Sequence, residues 1–182
     1  MTAIPLVSMI LWGFCALIAY LFISGFIWGA GYFPTSTSDM KNIAKLADMK
    51  EGSVVYDLGS GFGKIVAYLA QNLGAKCVGV EIDPFKCWWS RMIIRQKGLS
   101  ERVRIVRSNL FDVDVSEADV VYIFLSDATK IMKHLKPKLL REMRPGSKVI
   151  SFHHKFEDWR PETNLGDLRV YVVPAIRLPE EV

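Results

Sequence analysis

The sequence predicts an α/β fold: a doubly wound, mostly parallel sheet with helices on both faces, preceded by one N-terminal transmembrane helix. Three observations predict it. Short apolar runs alternate with helical runs from residue 53 onward. A glycine-spaced turn, "DLGSGFG", follows the first apolar run. Residues 1–38 contain no Asp, Glu, Lys or Arg, so the whole +4 charge of the 182-residue chain falls after them.

The uncharged start, "AIPLVSMILWGFCALIAYLFISGFIWGAGYF", exceeds the roughly 20 apolar residues that span a bilayer. It has no basic leader and is too long for the apolar core of a cleaved signal peptide. It has no polar stripe, which a buried core helix would show. Phe26, Trp28, Tyr32 and Phe33 gather at its end, as aromatics do at membrane interfaces. No Lys or Arg precedes it, whereas Lys41, Lys45 and Lys50 follow, which predicts a single-pass anchor with the domain on the cytoplasmic face. The expected units are therefore an anchor, 1–33, and a domain, 34–182. Gly25 and Gly29 form a G-x-x-x-G spacing, a weak dimerisation signal.

"PTSTSDM" reads as a linker, with Ser38 capping a helix over Asp39–Ala47. "SVVYDL" is the first strand and "KIVAYLAQNLG" a helix ending at Gly74. "KCVGVE" is the second strand. "PFKCWWSRMIIRQKG" is a helix with proline at its first position. "VRIVRS" and "DVVYIFL" are the third and fourth strands. "TKIMKHLKPKLLREM" is helical, broken or kinked at Pro137. "KVISFH" and "LRVYVVP" are the fifth and sixth strands. Cys15, Cys77 and Cys87 have no pairing pattern and read as reduced thiols.

The glycine turn fits neither common phosphate motif. A P-loop requires glycine five places before Gly63 and Ser or Thr after Lys64, where this chain has Leu58 and Ile65. The dinucleotide fingerprint is G-x-G-x-x-G, whereas Gly59, Gly61 and Gly63 give G-x-G-x-G. What remains is an acid, Asp57, followed by bare backbone through Gly59, Ser60 and Gly61 that can pass close beneath a ligand. Glu81 ends the second strand, where a carboxylate can accept two hydrogen bonds from a ribose diol. Ile82 can pack on an adenine ring, Asn109 can contact its amino group, and Leu110 offers a backbone N–H and an apolar surface. Asp57 can meet a cationic amino group. An adenosine with an amino-acid tail and no phosphate suits this set, and S-adenosylmethionine fits it.

"VVYDLGSGFGKIV" with "VGVEIDP" resembles the cofactor motifs of class I S-adenosylmethionine-dependent methyltransferases. "GYFPTS", "NLFDVDVSEADVVYIFL" and "KVISFHHKFEDWRPE" resemble one subfamily of these. It is the seven-β-strand protein lysine methyltransferases that include an archaeal broad-specificity enzyme and the mitochondrial enzyme acting on the c subunit of ATP synthase. The resemblance covers roughly residues 30–175 and implies a Rossmann-like sheet of seven strands. It implies that Asp57, Gly59 and Gly61 cradle the methionine moiety, Glu81 the ribose, and Asn109 and Leu110 the adenine. Pro34, Thr35 and Ser36 would close over the cofactor. Two residues depart from the family pattern: Asn109 stands where an aspartate is common, and Phe62 where a small polar or acidic residue is common.

Methyl transfer from a sulfonium needs alignment and a deprotonated nucleophile rather than a metal. His153-His154, the one histidine pair, lacks neighbouring ligands at metal spacing. The fourth strand ends in "FLSDA", without the Asn/Asp-Pro-Pro-aromatic motif common where planar nitrogens are methylated, so nucleic acid is a disfavoured partner. Substrate-side candidates are Ser126, His153 and Trp159: His153 to take a proton, Trp159 to pack on an amine stem or cover its charge. The basic stretch Lys130, Lys133, Lys136, Lys138, Arg141, Arg144 and Lys148 reads as a solvated face or a contact with anionic lipid. The expected activity is membrane-anchored protein-lysine methylation, with a membrane-complex subunit as a fitting substrate. Methylation of a small lipophilic molecule and a non-catalytic cofactor-binding scaffold are the alternatives.

Overall fold

The computed structural model describes residues 4–28, 36–125 and 129–175. The uncharged start forms helix α1 (Ile4–Trp28), 25 residues long. Leu6, Met9 and Trp12 on it are 65%, 70% and 77% exposed, so these three side chains enter no protein core. Among the described residues no helix is long and apolar enough to cross a membrane. The transmembrane assignment therefore does not follow from the fold. Helix α2 (Thr37–Leu46) begins earlier than the sequence suggests. Its cap is Ser36, not Ser38: the Ser36 side chain accepts a hydrogen bond from the Asp39 N–H at 3.1 Å. Asp39, three places on, adds negative charge to the helix's first turn.

The strands and helices then alternate as expected: β1 (Val54–Leu58), α3 (Lys64–Leu73), β2 (Lys76–Glu81), α4 (Pro84–Gln96), β3 (Val103–Arg107), β4 (Val120–Ile123), α5 (Thr129–Glu142) and β5 (Lys148–Phe152). The described chain closes with β6 (Thr163–Leu165) and β7 (Leu168–Val172). Sheet order is β3-β2-β1-β4-β5-β7-β6, seven strands, with β7 antiparallel to both neighbours and every other pairing parallel. Strand β6 is invisible to periodicity because its three residues are all exposed. It exists because the β6–β7 hairpin, turning through Gly166 at φ +57°, pairs it onto β7.

One face of the sheet packs Met40 and Ile43 of α2, Ile65, Val66 and Leu69 of α3, and Cys87 and Ile94 of α4 against Val55, Cys77 and Val120. The other packs Met132, Leu135 and Leu139 of α5 against Tyr56, Leu58, Val121, Ile123 and Tyr171. The doubly wound expectation holds because consecutive strand residues are apolar, as strands covered on both faces must be. Pro137 does not end α5, which runs through it to Glu142.

The basic stretch is largely spent on structure. Lys138 is buried and pairs with Glu142 at 2.6 Å, Arg144 pairs with Asp119 at 2.8 Å, and Lys136 donates to the Glu157 carbonyl. All three cysteines are free; burial pushes the Cys77 thiol up to about 12 and the Cys87 thiol up to about 11, so neither is a ready nucleophile.

Candidate active site

The strand order reverses direction between β1 and β4, and that switch opens the crevice at the carboxyl ends of the sheet. The turn after β1 fills one wall of it. Gly59, Gly61 and Gly63 have φ of +95°, +53° and +72°, conformations that L side chains rarely adopt. The Gly59 and Ser60 N–H groups donate to the Val80 carbonyl, tying the turn to β2. Gly79 of β2 lets Ser60 approach, since a Cβ there would lie 2.8 Å from the Ser60 hydroxyl. Ser90 of α4 donates to the Gly61 carbonyl at 3.0 Å and holds the turn from the far side.

Around Gly61 itself a Cβ would meet nothing among the described residues within 4 Å, so the backbone there borders open space between them. The Glu81 carboxylate stands beside it. Its Oε2 accepts from the Gly61 N–H at 2.8 Å, and its Oε1 accepts from the Ile82 and Asp83 N–H groups at 2.9 Å each. A carboxylate offers about four lone-pair sites and these N–H groups use part of them, so capacity for a diol remains. Asp57 is 3% exposed. Burial, with the Glu81 charge as the second cause, pushes its carboxyl up to about 8. The Ser60 hydroxyl is buried and has no hydrogen-bond partner among the described residues, a polar group that a bound ligand would satisfy. Bare backbone, an acceptor pair and a proton-holding acid at one sheet edge fit an adenosine with an ammonium-bearing tail.

Ile82 is half-buried and follows Glu81 directly, as the adenine assignment requires. Ser108 is tied to the same place through its N–H, which donates to the Glu81 carbonyl. Asn109, next along, is exposed, and its amide oxygen already accepts the Phe111 N–H at 3.1 Å. It therefore shapes a local turn, and the second lone pair of the amide oxygen remains to accept from an adenine amino group. Leu110 is half-buried against the α5-side core.

On the substrate side, His153 follows β5 in a left-handed conformation, φ +67°, unusual for a residue with a Cβ. Its Nδ1 lies 3.2 Å from an Asp167 carboxylate oxygen, and its ring packs on Phe152 and Phe124. A carboxylate on Nδ1 orients the ring and leaves Nε2 for proton transfer. His154 reaches back instead: its Nε2 sits 2.7 Å from the Leu125 carbonyl. Leu125 in turn touches the cofactor turn, since a Cβ on Gly59 would lie 2.8 Å from its Cδ2. Trp159 is packed between Phe156 and Tyr171, ring centroids 5.2 Å from each. Ser126 and Thr35 lie outside the described residues, as does Gly29 of the expected dimer motif.

Sequence reasoning missed Asp167 and Ser90. Both act across the fold, and nothing local marks them. Among the described residues no group of three His, Cys, Asp or Glu is placed to hold a metal ion.

The profile of the ANTKMT methyltransferase domain matches residues 57–163, from the acid of the glycine turn to the start of β6. The chain belongs to that methyltransferase family. This methyltransferase is 36% identical over 132 residues to a protein-lysine N-methyltransferase of Saccharolobus islandicus, covering 72% of the chain and 81% of the relative. It is 33% identical over 136 residues to the Xenopus laevis lysine N-methyltransferase named for the c subunit of ATP synthase, covering 75% of the chain and 58% of that relative's length. Among solved structures, a Salinibacter ruber protein described as an RNA methyltransferase in complex with S-adenosyl-L-homocysteine superimposes with a TM-score of 0.72. It is 34% identical, covering 82% of this chain and 98% of that one.

Proposed function

We propose that this chain is a membrane-anchored, S-adenosylmethionine-dependent protein-lysine N-methyltransferase with its domain on the cytoplasmic face. The observation that carries the cofactor is the meeting, at the β1/β4 switch, of the positive-φ glycine turn with the Glu81 carboxylate. The lysine substrate rests on the relatives whose names state it, across 72% and 75% of this chain. In the bound state Glu81 takes the ribose hydroxyls, Asp57 and the Gly59–Gly61 backbone take the amino-acid tail, and Ile82, Asn109 and Leu110 border the adenine.

The bound cofactor supplies an electrophilic methyl group on a sulfonium. The protein must align the lysine amine behind that methyl, exclude water and receive a proton. The cofactor, when bound, would supply that methyl and leave as the neutral thioether, so the chain's own residues would have to deliver the lysine as a neutral amine. His153 Nε2, with Nδ1 steered by Asp167, is the group proposed to take the proton from the lysine ammonium before attack.

The anchor rests on length and charge. At about 1.5 Å per residue, α1 reaches about 37 Å, against a hydrocarbon core of about 30 Å. The lack of a qualifying span holds for the described residues, and several side chains within α1 fall outside them. A bilayer meets the whole helix, whose 25 residues carry no charge, so its physical length is the better guide.

The test incubates the protein in detergent with methyl-labelled cofactor and a membrane lysate, then separates protein, RNA and organic fractions. Label in protein, recovered as methyl-lysine, is the expected result. Label in RNA, or in the organic phase as a lipophilic small molecule, would replace the lysine reading. Cofactor binding without transfer would make the chain a scaffold.

Asp57 adds a pH signature. With its carboxyl near 8, most of it is protonated at pH 7, and pairing with the cofactor ammonium requires the charged form. Binding should release close to one proton at pH 7, read by calorimetry in buffers of different ionisation enthalpy. Affinity should rise from pH 6 to 8 by up to about tenfold per unit. Asp57→Asn should flatten the profile; zero proton release would remove Asp57 from the ammonium site. In the ligand-free protein the sign reverses. A carboxyl raised from 3.8 contributes stability below about pH 4 that is lost as pH climbs through about 8.

A further inference from the structure

Beside the cofactor turn lies a feature the methyl-transfer reading leaves unused. A groove of about 600 Å³ runs between α3 and α4, lined by Phe62, Ala67, Phe85, Trp89 and Ile93, with Met40 of α2 at one end. Along its rim Trp88 is 56% exposed and Trp89 38% exposed, with ring centroids 6.1 Å apart and each about 6 Å from Phe85. Large aromatic rings in water are costly, and two side by side mark a contact surface.

We infer that this α3–α4 face is a second membrane-contact surface, seating the domain on an anionic bilayer with Trp88, Trp89 and the groove at headgroup depth. The inference rests on the anchored reading above and adds that the domain itself touches lipid. Three observations choose a bilayer as the occupant.

The first is continuity with the anchor. Tyr20 of α1 donates to an Asp83 carboxylate oxygen at 2.7 Å and meets the Phe85 ring edge-on at 5.5 Å. Tyr20 lies eight residues before the end of α1, about 12 Å along the axis. The contact therefore ties the N-terminus of α4 to α1, so the face carrying Phe85 is on the anchor's side of the domain. The second is residue type: tryptophan concentrates where one side of the ring is apolar and the other wet. The third is charge. The charged side chains that line the groove are Lys64 and Lys97, with no carboxylate among them, while the Arg91 guanidinium is turned to the Ile105 carbonyl of β3. Anionic headgroups attract such a rim, at about 1 kcal/mol per Lys or Arg near the surface.

The consequence reaches the active site. Phe62 and Gly63 line both the groove and the cofactor turn. Seating the groove in lipid brings the mouth of the site to the membrane surface, where a lysine just outside the hydrocarbon would meet it. It also gives the large side chain at Phe62 a task that a small polar residue could not perform.

The test uses the full chain in nanodiscs, in a Cys15→Ser background; Cys77 and Cys87 are 2% and 0% exposed and label poorly. An environment-sensitive fluorophore is placed in turn at Trp88→Cys, at Gly13→Cys within α1, and at Glu101→Cys on the loop after α4. Spin-labelled lipid should quench the Trp88 and Gly13 probes at least about twofold more than the Glu101 probe, and aqueous iodide the reverse. Nanodiscs containing phosphatidylglycerol should increase lipid quenching at Trp88 over purely zwitterionic ones. Melting curves of each variant confirm folding, and Trp89→Cys serves if Trp88→Cys does not fold. A Gly13 probe in lipid with a Trp88 probe in water overturns the inference and leaves the anchor standing. Both probes in water overturn the anchor as well. Shielding at Trp88 in native membranes but not in pure lipid discs means a protein partner and overturns the lipid assignment.

Discussion

Replacing Glu81 with alanine is expected to weaken S-adenosylhomocysteine binding by roughly 100-fold or more, measured by calorimetry. Two hydrogen bonds to a charged acceptor contribute about 1.5–3 kcal/mol each, and about 3 kcal/mol in total corresponds to that factor. The same substitution frees the Gly61, Ile82 and Asp83 N–H groups that the carboxylate now receives, so the turn also loosens. Glu81→Gln separates the two effects, since its amide oxygen can keep part of the turn while the charge is lost. Its affinity should fall between wild type and alanine, with a melting temperature near that of wild type. Unchanged affinity in both variants would remove Glu81 from the ribose.

A second large effect is expected at Gly59, and it is one of stability. At φ +95° the backbone lies outside the region L residues tolerate, and a Cβ would stand 2.8 Å from Leu125 Cδ2. Leu125 is buried, and its carbonyl is within hydrogen-bond distance of His154, so it has little freedom to withdraw. Strain and overpacking together place Gly59→Val about 3–5 kcal/mol below wild type, a melting shift on the order of 10 °C. Gly61→Ala is the contrast, because its Cβ would enter open space at φ +53°. It should cost about 1–2 kcal/mol of stability, yet lose roughly tenfold or more in cofactor affinity, because the added methyl sits where the ligand passes. Unchanged cofactor affinity in Gly61→Ala would mean that Gly61 does not border the ligand.

The strands β1–β5 and β7 and the helices α3–α5 were legible because each carries its own signal. The signals are apolar runs of strand length, helical periodicity, Pro84 at a helix start and glycine at helix ends. The elements that were misread lack such signals or carry two. Ser36 and Ser38 are both competent caps, and the choice between them falls to which lies three residues before Asp39. Pro137 reads as a breaker, yet α5 continues, its apolar stripe of Leu135 and Leu139 fully buried against the sheet on either side of it. Packing of that stripe outweighs one missing backbone hydrogen bond. Strand β6, wholly exposed, has no pattern to read.

The cofactor half of the candidate site was legible for the same reason as the strands. Asp57, the glycines and Glu81 lie at strand ends whose spacing along the chain already implies their meeting. The substrate half was not. His153 could be named as a candidate, but Asp167, which holds its Nδ1, comes from a hairpin turn 14 residues later whose pairing depends on β7 running antiparallel beside β5.

By itself the sequence determined the uncharged first helix, the order of strands and helices, and the acid–glycine–acid set that marks the cofactor. Those are short-range properties, written in periodicity, propensity and charge over a few neighbouring residues. Only the tertiary structure decided that Ser90 braces Gly61, that Asp57 is buried enough to hold a proton near neutrality, that Asp167 meets His153, and that Trp88 and Trp89 stand beside the first helix. Each of these depends on which distant segments share a surface. Burial and contact between distant segments are set by the packing of the whole sheet, not by any stretch of chain taken alone.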